Sequence, residues 1–230
     1  MPTLLMRLSG PMQSWGTQSR FTVRDTGREP SKSGVIGLIC AALGRPRTAP
    51  VDDLVRLRMG VRVDREGIVM RDYHTAGGAP AGERYGVATV TGDQRPVQSS
   101  RYYLADASFL VALEGGEEDR PLLEQIDEAL RAPRWQLFLG RKSCVPSEPI
   151  HLPKEPPLGP PIREEDLRTA LISYPWPEGA HRLRFVFEDP EGEELRNDVP
   201  ISFEIGNRQY AARFVRTEII INPALQDARR

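Results

Sequence analysis

Arg101-Tyr-Tyr-Leu-Ala-Asp-Ala-Ser-Phe-Leu-Val-Ala-Leu113 is the stretch whose reading decides the fold, because it is the strongest strand in the chain. Downstream of it, Asp119 can cap a helix that has Pro121 in its first turn and Leu122, Leu123, Ile126 and Leu130 on one face. Trp135 to Leu139 then enters a short strand. Upstream, Met59, Val61 and Val63 alternate with polar or small residues as a half-buried strand does. Asp64-Arg-Glu-Gly67 reads as a turn, and Ile68 to His74 returns as another strand. Further back, Ser31 or Ser33 supplies the N-cap of an apolar helix, Val35 to Leu43, which Gly44 and Pro46 stop. Thr3 to Leu8 is a first strand, followed by the glycine-bounded loop Gly10-Pro-Met-Gln-Ser-Trp-Gly16.

Strand, helix, strand, strand, helix, strand is the order of an α+β domain of the ferredoxin-like or RNA-recognition (RRM) type. Residues 1–75 and 105–145 are assigned to it. The stretch Thr75 to Ser100 is glycine-rich, polar and short of large apolar residues, with only Tyr85 to Val90 resembling a strand. Residues 76–104 are therefore expected to form an inserted, projecting arm. Prolines crowd Pro146 to Pro161, which reads as an extended connection. Beyond it, Leu183 to Phe187, Ile201 to Ile205 and Tyr210 to Ile221 suggest a small β-rich C-terminal unit, so that residues 146–230 form the last division.

The chain has 230 residues and a mass of 25.8 kDa, enough for one core domain with substantial appendages. Its 39% hydrophobic and 27% charged residues exclude the disordered and membrane classes. No stretch approaches the ~20 apolar residues of a membrane span. The run Met1 to Met6 meets Arg7 too early for a secretory signal, so a cytoplasmic location is expected. Cys40 lies in an apolar run and Cys144 in a basic loop, a poor basis for a disulfide. With His74, His151 and His181 scattered, there is no zinc spacing, and neither metal nor cofactor is expected.

The net charge of −1 argues against nucleic acid only if the charge is spread evenly, and it is not. Arg7, Arg20, Arg24, Arg28, Lys32, Arg45 and Arg47 face only Asp25 and Glu29 within the first 50 residues. Arg131, Arg134, Arg141 and Lys142 form a second basic stretch, while acids gather at Glu114 to Glu128 and Glu188 to Asp198. One basic face could hold a phosphate backbone. Within the first loop, Gln13 and Trp15 admit two readings, Trp15 meeting a base or Trp15 packed in the core. Ser31, Lys32 and Ser33 sit at a helix N-terminus, where free amides make an anion site or the serines simply cap. His74 invites an acid-base role but has no convincing partner in sequence. Gly140, Arg141, Lys142 and Ser143 follow an expected strand as either a phosphate contact or a solvated basic turn.

Taken together, Arg7-Leu-Ser-Gly-Pro-Met-Gln-Ser-Trp-Gly16, Pro30-Ser-Lys-Ser-Gly-Val-Ile-Gly-Leu38, Met70-Arg-Asp-Tyr-His-Thr75, Tyr103-Leu-Ala-Asp-Ala-Ser-Phe109 and Leu139-Gly-Arg-Lys-Ser-Cys144 resemble the CasD family. That family caps the 5′ end of the guide RNA in type I-E CRISPR Cascade. The resemblance covers most of residues 1–150 and implies a RAMP-type domain, a β-hairpin thumb at about residues 76–104, and binding of the repeat-derived 5′ handle of the crRNA. It also implies backbone-forming subunits and a large PAM-reading subunit as partners, with a separate nuclease maturing the RNA. The expected RNA contacts are Gln13, Trp15, Arg24, Ser31, Lys32, Ser33, Arg71, His74, Arg101, Tyr102, Arg141, Lys142 and Ser143. A wider branch of the family cuts its own repeat RNA with a Tyr, Lys and His grouping. Lys32, Lys142 and Lys154 all lie outside the arm, which favours a non-catalytic subunit over the alternative of a metal-independent endoribonuclease.

Overall fold

The apolar run around Phe109 has no polar face to offer water. Phe109, Val111 and Leu113 join one buried cluster and Leu110 and Ala112 a second, all of them at most 1% exposed. A strand of this kind needs cover on both faces and neighbours on both edges. A computed structural model, which describes residues 1–17, 22–77, 87–88 and 94–227, supplies both. Its elements are β1 (Thr3–Gln13), β2 (Val23–Arg24), α1 (Lys32–Leu43), α2 (Asp52–Val55), β3 (Arg58–Arg65), β4 (Ile68–Ala76), β5 (Val87–Ala88), β6 (Gln94–Arg95), β7 (Val97–Glu114), α3 (Arg120–Arg131), β8 (Ile162–Arg163), α4 (Leu167–Ser173), β9 (Arg182–Glu188), β10 (Glu194–Ser202), β11 (Gln209–Ile221) and α5 (Pro223–Asp227).

The chain is a mixed α/β molecule built on one large sheet of order β10-β11-β9-β3-β7-β1-β8, with β2 and β4 also pairing with β7. Every pairing is antiparallel except β2 with β7. Helices α1 and α3 cover one face, packing Val35, Ile36, Ile39, Leu123 and Ile126 on Leu4, Met6 and Leu8. Ser31 Oγ accepts from the Gly34 amide (3.3 Å), and Gly44 closes α1 at φ 71°, as the sequence signals. The other face is covered by α4, held in place by the buried Arg62. Its Nη1 donates to the carbonyls of Leu171 (3.0 Å) and Tyr174 (2.7 Å), Nη2 to Pro175 (2.9 Å) and Nε to Asp64 (2.7 Å). One guanidinium thus satisfies carbonyls that the end of α4 leaves open.

Four expectations are corrected. The chain does not reverse at Asp64 to Gly67: β3 and β4 run along β7 in one direction, from Arg58↔Glu114 to Arg65↔Ser108 and on from Ile68↔Ala105 to Ala76↔Val97. Gly67 (φ 70°) and Asp106 (φ 57°) absorb the irregularity between the two halves. Trp135 to Leu139 is not a strand, although Leu139 is fully buried. The edge of β1 is met instead by β8 and by a bridge from Met6 to His151, because the proline-rich chain lacks the amides for a longer ladder. Asp119 holds the N-cap position of α3 but makes no side-chain capping bond; its carboxylate accepts from the Gly116 amide (3.0 Å) and pairs with Arg56. The C-terminal strands, expected as a unit of their own, continue the sheet through pairing of β9 with β3, Gly60↔Phe187 to Val63↔Arg184. Much of the expected arm, including most of Tyr85 to Val90, lies outside the described residues; its ends belong to β4 and β7.

Candidate nucleic-acid interface

Beyond the bulge at Gly67, β4 and the first half of β7 form a ribbon, with the short β2 on the other edge of β7. Residues directly opposite share a face and successive residues alternate. The register Arg24↔Arg101 and Asp72↔Arg101 therefore puts Arg24, Arg101 and Asp72 in one row, with His74 and Tyr103 on the same face. Arg71↔Tyr102 and Tyr73↔Ser100 lie on the other. There Arg71 donates to Ser100 Oγ from Nη2 (2.9 Å) and Nε (3.2 Å).

The turn after Phe138 reaches the first of these faces from α3. Gly140 has φ 92°, and a Cβ there would stand 1.8 Å from the Ser14 carbonyl oxygen, so the turn is pressed against the end of β1. Arg141 extends from it over the Tyr103 ring, 4.7 Å from guanidinium carbon to ring centroid. Its Nη2 donates to the carbonyls of Arg24 (3.0 Å) and Asp25 (3.2 Å). Lys142 and Ser143 are exposed beside it. Most arginines elsewhere are neutralised, Arg45 by Asp53, Arg168 by Glu218, Arg184 by Glu29 and Glu66. Arg24, Arg71, Arg101, Arg141 and Lys142 form no ion pair among the described residues. Arg24, Arg101, Arg141 and Lys142 gather on the Tyr103 side, and an uncompensated group of this kind is an anion site in electrostatic terms, while Arg71 lies on the opposite face of the ribbon.

Five sequence-derived candidates do not join that cluster. Lys32 is 1% exposed; its Nζ donates to both oxygens of Glu188 (2.9 Å each) and its amide to Asp198 Oδ2 (2.8 Å). Arg213 completes the group, bonding Asp198 through Nε (2.7 Å) and Nη2 (2.9 Å). The anion at this helix N-terminus is thus the chain's own carboxylate. Burial pushes the Lys32 ammonium below its ordinary pKa, and Glu188 restores it only in part. Burial also pushes Asp198 up, but Arg213 and the Lys32 amide outweigh it and hold the carboxyl below the usual range. Ser31 is the buried cap of α1, and Ser33 lies beside it, Oγ to Oγ 3.4 Å. Gln13 is fully buried, with Nε2 on the carbonyls of Leu8 (3.2 Å) and Ala107 (2.8 Å). Its Oε1 accepts from Trp15 Nε1 (3.0 Å), and Trp15 packs in the core where a Cβ on Gly34 would come within 2.7 Å of its ring. Core packing, the alternative the first loop also allowed, is what Trp15 does.

His74 stands 3.4 Å from Asp72 on the Arg101 face, whereas its neighbour Tyr73 is on the opposite face. Sequence reasoning missed Tyr103, the platform for Arg141; the strand alternation of Arg101 and Tyr103 was the signal that could have found it. Among the described residues no group of His, Cys, Asp or Glu is arranged to hold a metal, and no helix is long and apolar enough to cross a membrane.

The family model described as CRISPR-associated protein (Cas_Cas5) matches residues 3–216. The CRISPR system Cascade subunit CasD of Escherichia coli (strain K12) is 36% identical over 182 residues, covering 74% of this chain and 76% of that protein. A solved structure described as a crystal structure of a Cas protein is 43% identical with a TM-score of 0.73, over 96% of this chain and 95% of its own. A chain of a CRISPR RNA-guided surveillance complex is 37% identical with a TM-score of 0.76, over 97% of this chain and 92% of its own.

Proposed function

Because the chain belongs to the CRISPR-associated Cas5 family, as a CasD-like Cascade subunit, we propose that it is a non-catalytic RNA-gripping subunit that holds the 5′ handle of the crRNA at the base of its ribbon. The observation that carries this reading is the group Arg24, Arg101 and Lys142, cations that form no ion pair among the described residues in a chain that neutralises most of its other arginines. Phosphate oxygens would complete those donors, while His74 and Ser143 border the same ground and offer base-edge or 2′-hydroxyl contacts, with Arg71 and Tyr102 available to RNA that passes round to the opposite face of the ribbon. The stretch β3-β7-β1-β8 of the sheet, with α1 and α3 together on one face, supports a ferredoxin-like core of RAMP type. On this reading the β4 and β7 ribbon is the root of the thumb, and other Cascade subunits are its protein neighbours.

A ribonuclease reading needs a base and an acid converging on one phosphate. His74 and Tyr73 point to opposite faces of the ribbon, and Lys32 is committed to Glu188. The test is equilibrium binding of the full chain to a labelled single-stranded RNA that begins with the repeat-derived handle, measured across salt. Arg24→Ala, Arg71→Ala and Arg101→Ala should each lower the log–log salt slope by roughly 0.7. Arg47→Ala, an exposed cation past the C-terminal end of α1, should leave it unchanged. Three unaltered slopes would move the RNA to another face. Specific cleavage of repeat RNA in EDTA that His74→Ala abolishes would replace the non-catalytic reading.

A further inference from the structure

We propose that Arg141 is the positioning residue of this interface, acting on the RNA through the Arg24–Asp25 backbone and not as a phosphate-neutralising charge. The inference rests on the RNA-gripping reading above and deepens it. The geometry of the guanidinium is already spent within the chain. One plane covers the Tyr103 ring at 4.7 Å, and Nη2 is shared between the carbonyls of Arg24 (3.0 Å) and Asp25 (3.2 Å). Nη1 is buried, so it presents no open donor to a phosphate.

The segment that Arg141 grips needs gripping. β2 has two residues, and the Ser100 amide bond to the Thr22 carbonyl (2.8 Å) is its main backbone tie to β7 besides the pair Val23↔Ser100 and Arg24↔Arg101. The following residues are anchored to the other side, Trp15 amide to Thr26 Oγ1 (2.9 Å) and Gly27 amide to the Trp15 carbonyl (3.0 Å). Between those ties the Asp25 carboxylate accepts from the Thr17 amide (3.2 Å), and Arg141 holds the carbonyls of Arg24 and Asp25, which fixes the Arg24 backbone beside Arg101. Its own base is rigid: the Cys144 amide donates to the Arg141 carbonyl (2.9 Å), the Leu139 amide donates to the Cys144 carbonyl (2.8 Å), and Gly140 admits no side chain. A lysine would keep the charge at this position and lose both the stacking plane and the forked donors.

The experiment is a double-mutant cycle on handle-RNA affinity with the full chain, read together with the salt slope. Arg141→Lys should weaken binding about tenfold, as far as Arg141→Ala does, because charge without the fork does not hold the loop. Adding Arg24→Ala to Arg141→Lys should weaken binding by less than about twofold more, since the contribution of Arg24 is then already lost. Tyr103→Phe, which keeps the ring, should bind like the wild type, and Tyr103→Leu should reproduce the loss with Arg141 intact. Wild-type-like binding by Arg141→Lys, or losses that multiply in the double variant, would show that Arg141 acts by its charge and overturn the inference. A wild-type chain without affinity for the handle would instead overturn the RNA-gripping reading beneath it, a result that no Arg141 variant can imitate.

Discussion

Lys32 and Arg213 stand at the positive end of α1, where two cations are unfavourable for the helix unless anions accompany them. Glu188 and Asp198 do so, which makes this group a structural tie between the first helix and the last three strands. Removing one partner of a buried pair leaves the other charge uncompensated, so Asp198→Asn should destabilise the fold by about 3–5 kcal/mol near neutral pH. The pH dependence follows from the depressed folded pKa of Asp198. The contribution is fully present above the unfolded aspartate value of ~3.9 and is lost as pH falls through the lower folded value. Urea unfolding of wild type and Asp198→Asn should therefore converge in strong acid; a gap that persists at the lowest pH would show that the carboxylate charge is not what stabilises. The same residues explain why Lys32, Ser31 and Ser33, which look like a phosphate cradle in sequence, are not one. The anions come from two strands, Glu188 of β9 and Asp198 of β10, 156 and 166 residues from Lys32.

At the scale of elements, the ribbon is where expectation and structure differ most usefully. The glycine-rich composition leads to the expectation of an inserted arm at residues 76–104, but strand pairing reaches into that range from both sides, because β4 runs from Ile68 to Ala76 and β7 starts at Val97. Tyr103 and Leu104, assigned to the arm, are 6% and 1% exposed and belong to the main core. Two deletions separate the cases. Joining Ala76 to Val97, which face each other across the ladder, by an Asn-Gly turn should cost no more than about 0.5 kcal/mol of stability. Excising residues 76–104 also removes the buried Tyr103 and Leu104 and should cost at least ~3 kcal/mol. Circular dichroism melts of both constructions check this, and equal stability would mean that Tyr103 and Leu104 contribute little to the core.

At the scale of the whole molecule, β9 occupies the edge of β3, and Phe185, Val186 and Phe187 fill both buried clusters. A chain ending at residue 180 would expose that edge and leave Lys32 without Glu188 and Asp198. It should show no cooperative unfolding transition in urea; a two-state transition from residues 1–180 would prove an autonomous N-terminal domain. The sequence by itself determined the strands β1, β3, β7 and β11, the helices α1 and α3 and the glycine stop of α1, because apolar period and cap chemistry are properties of neighbours along the chain. It also determined that basic residues outnumber acids near its start. Which of those cations remain free was decided only by the tertiary structure. Neutralisation falls with distance in space, and Lys32, Arg184 and Arg213 find their carboxylates across the sheet while Arg24, Arg71, Arg101 and Arg141 find none among the described residues.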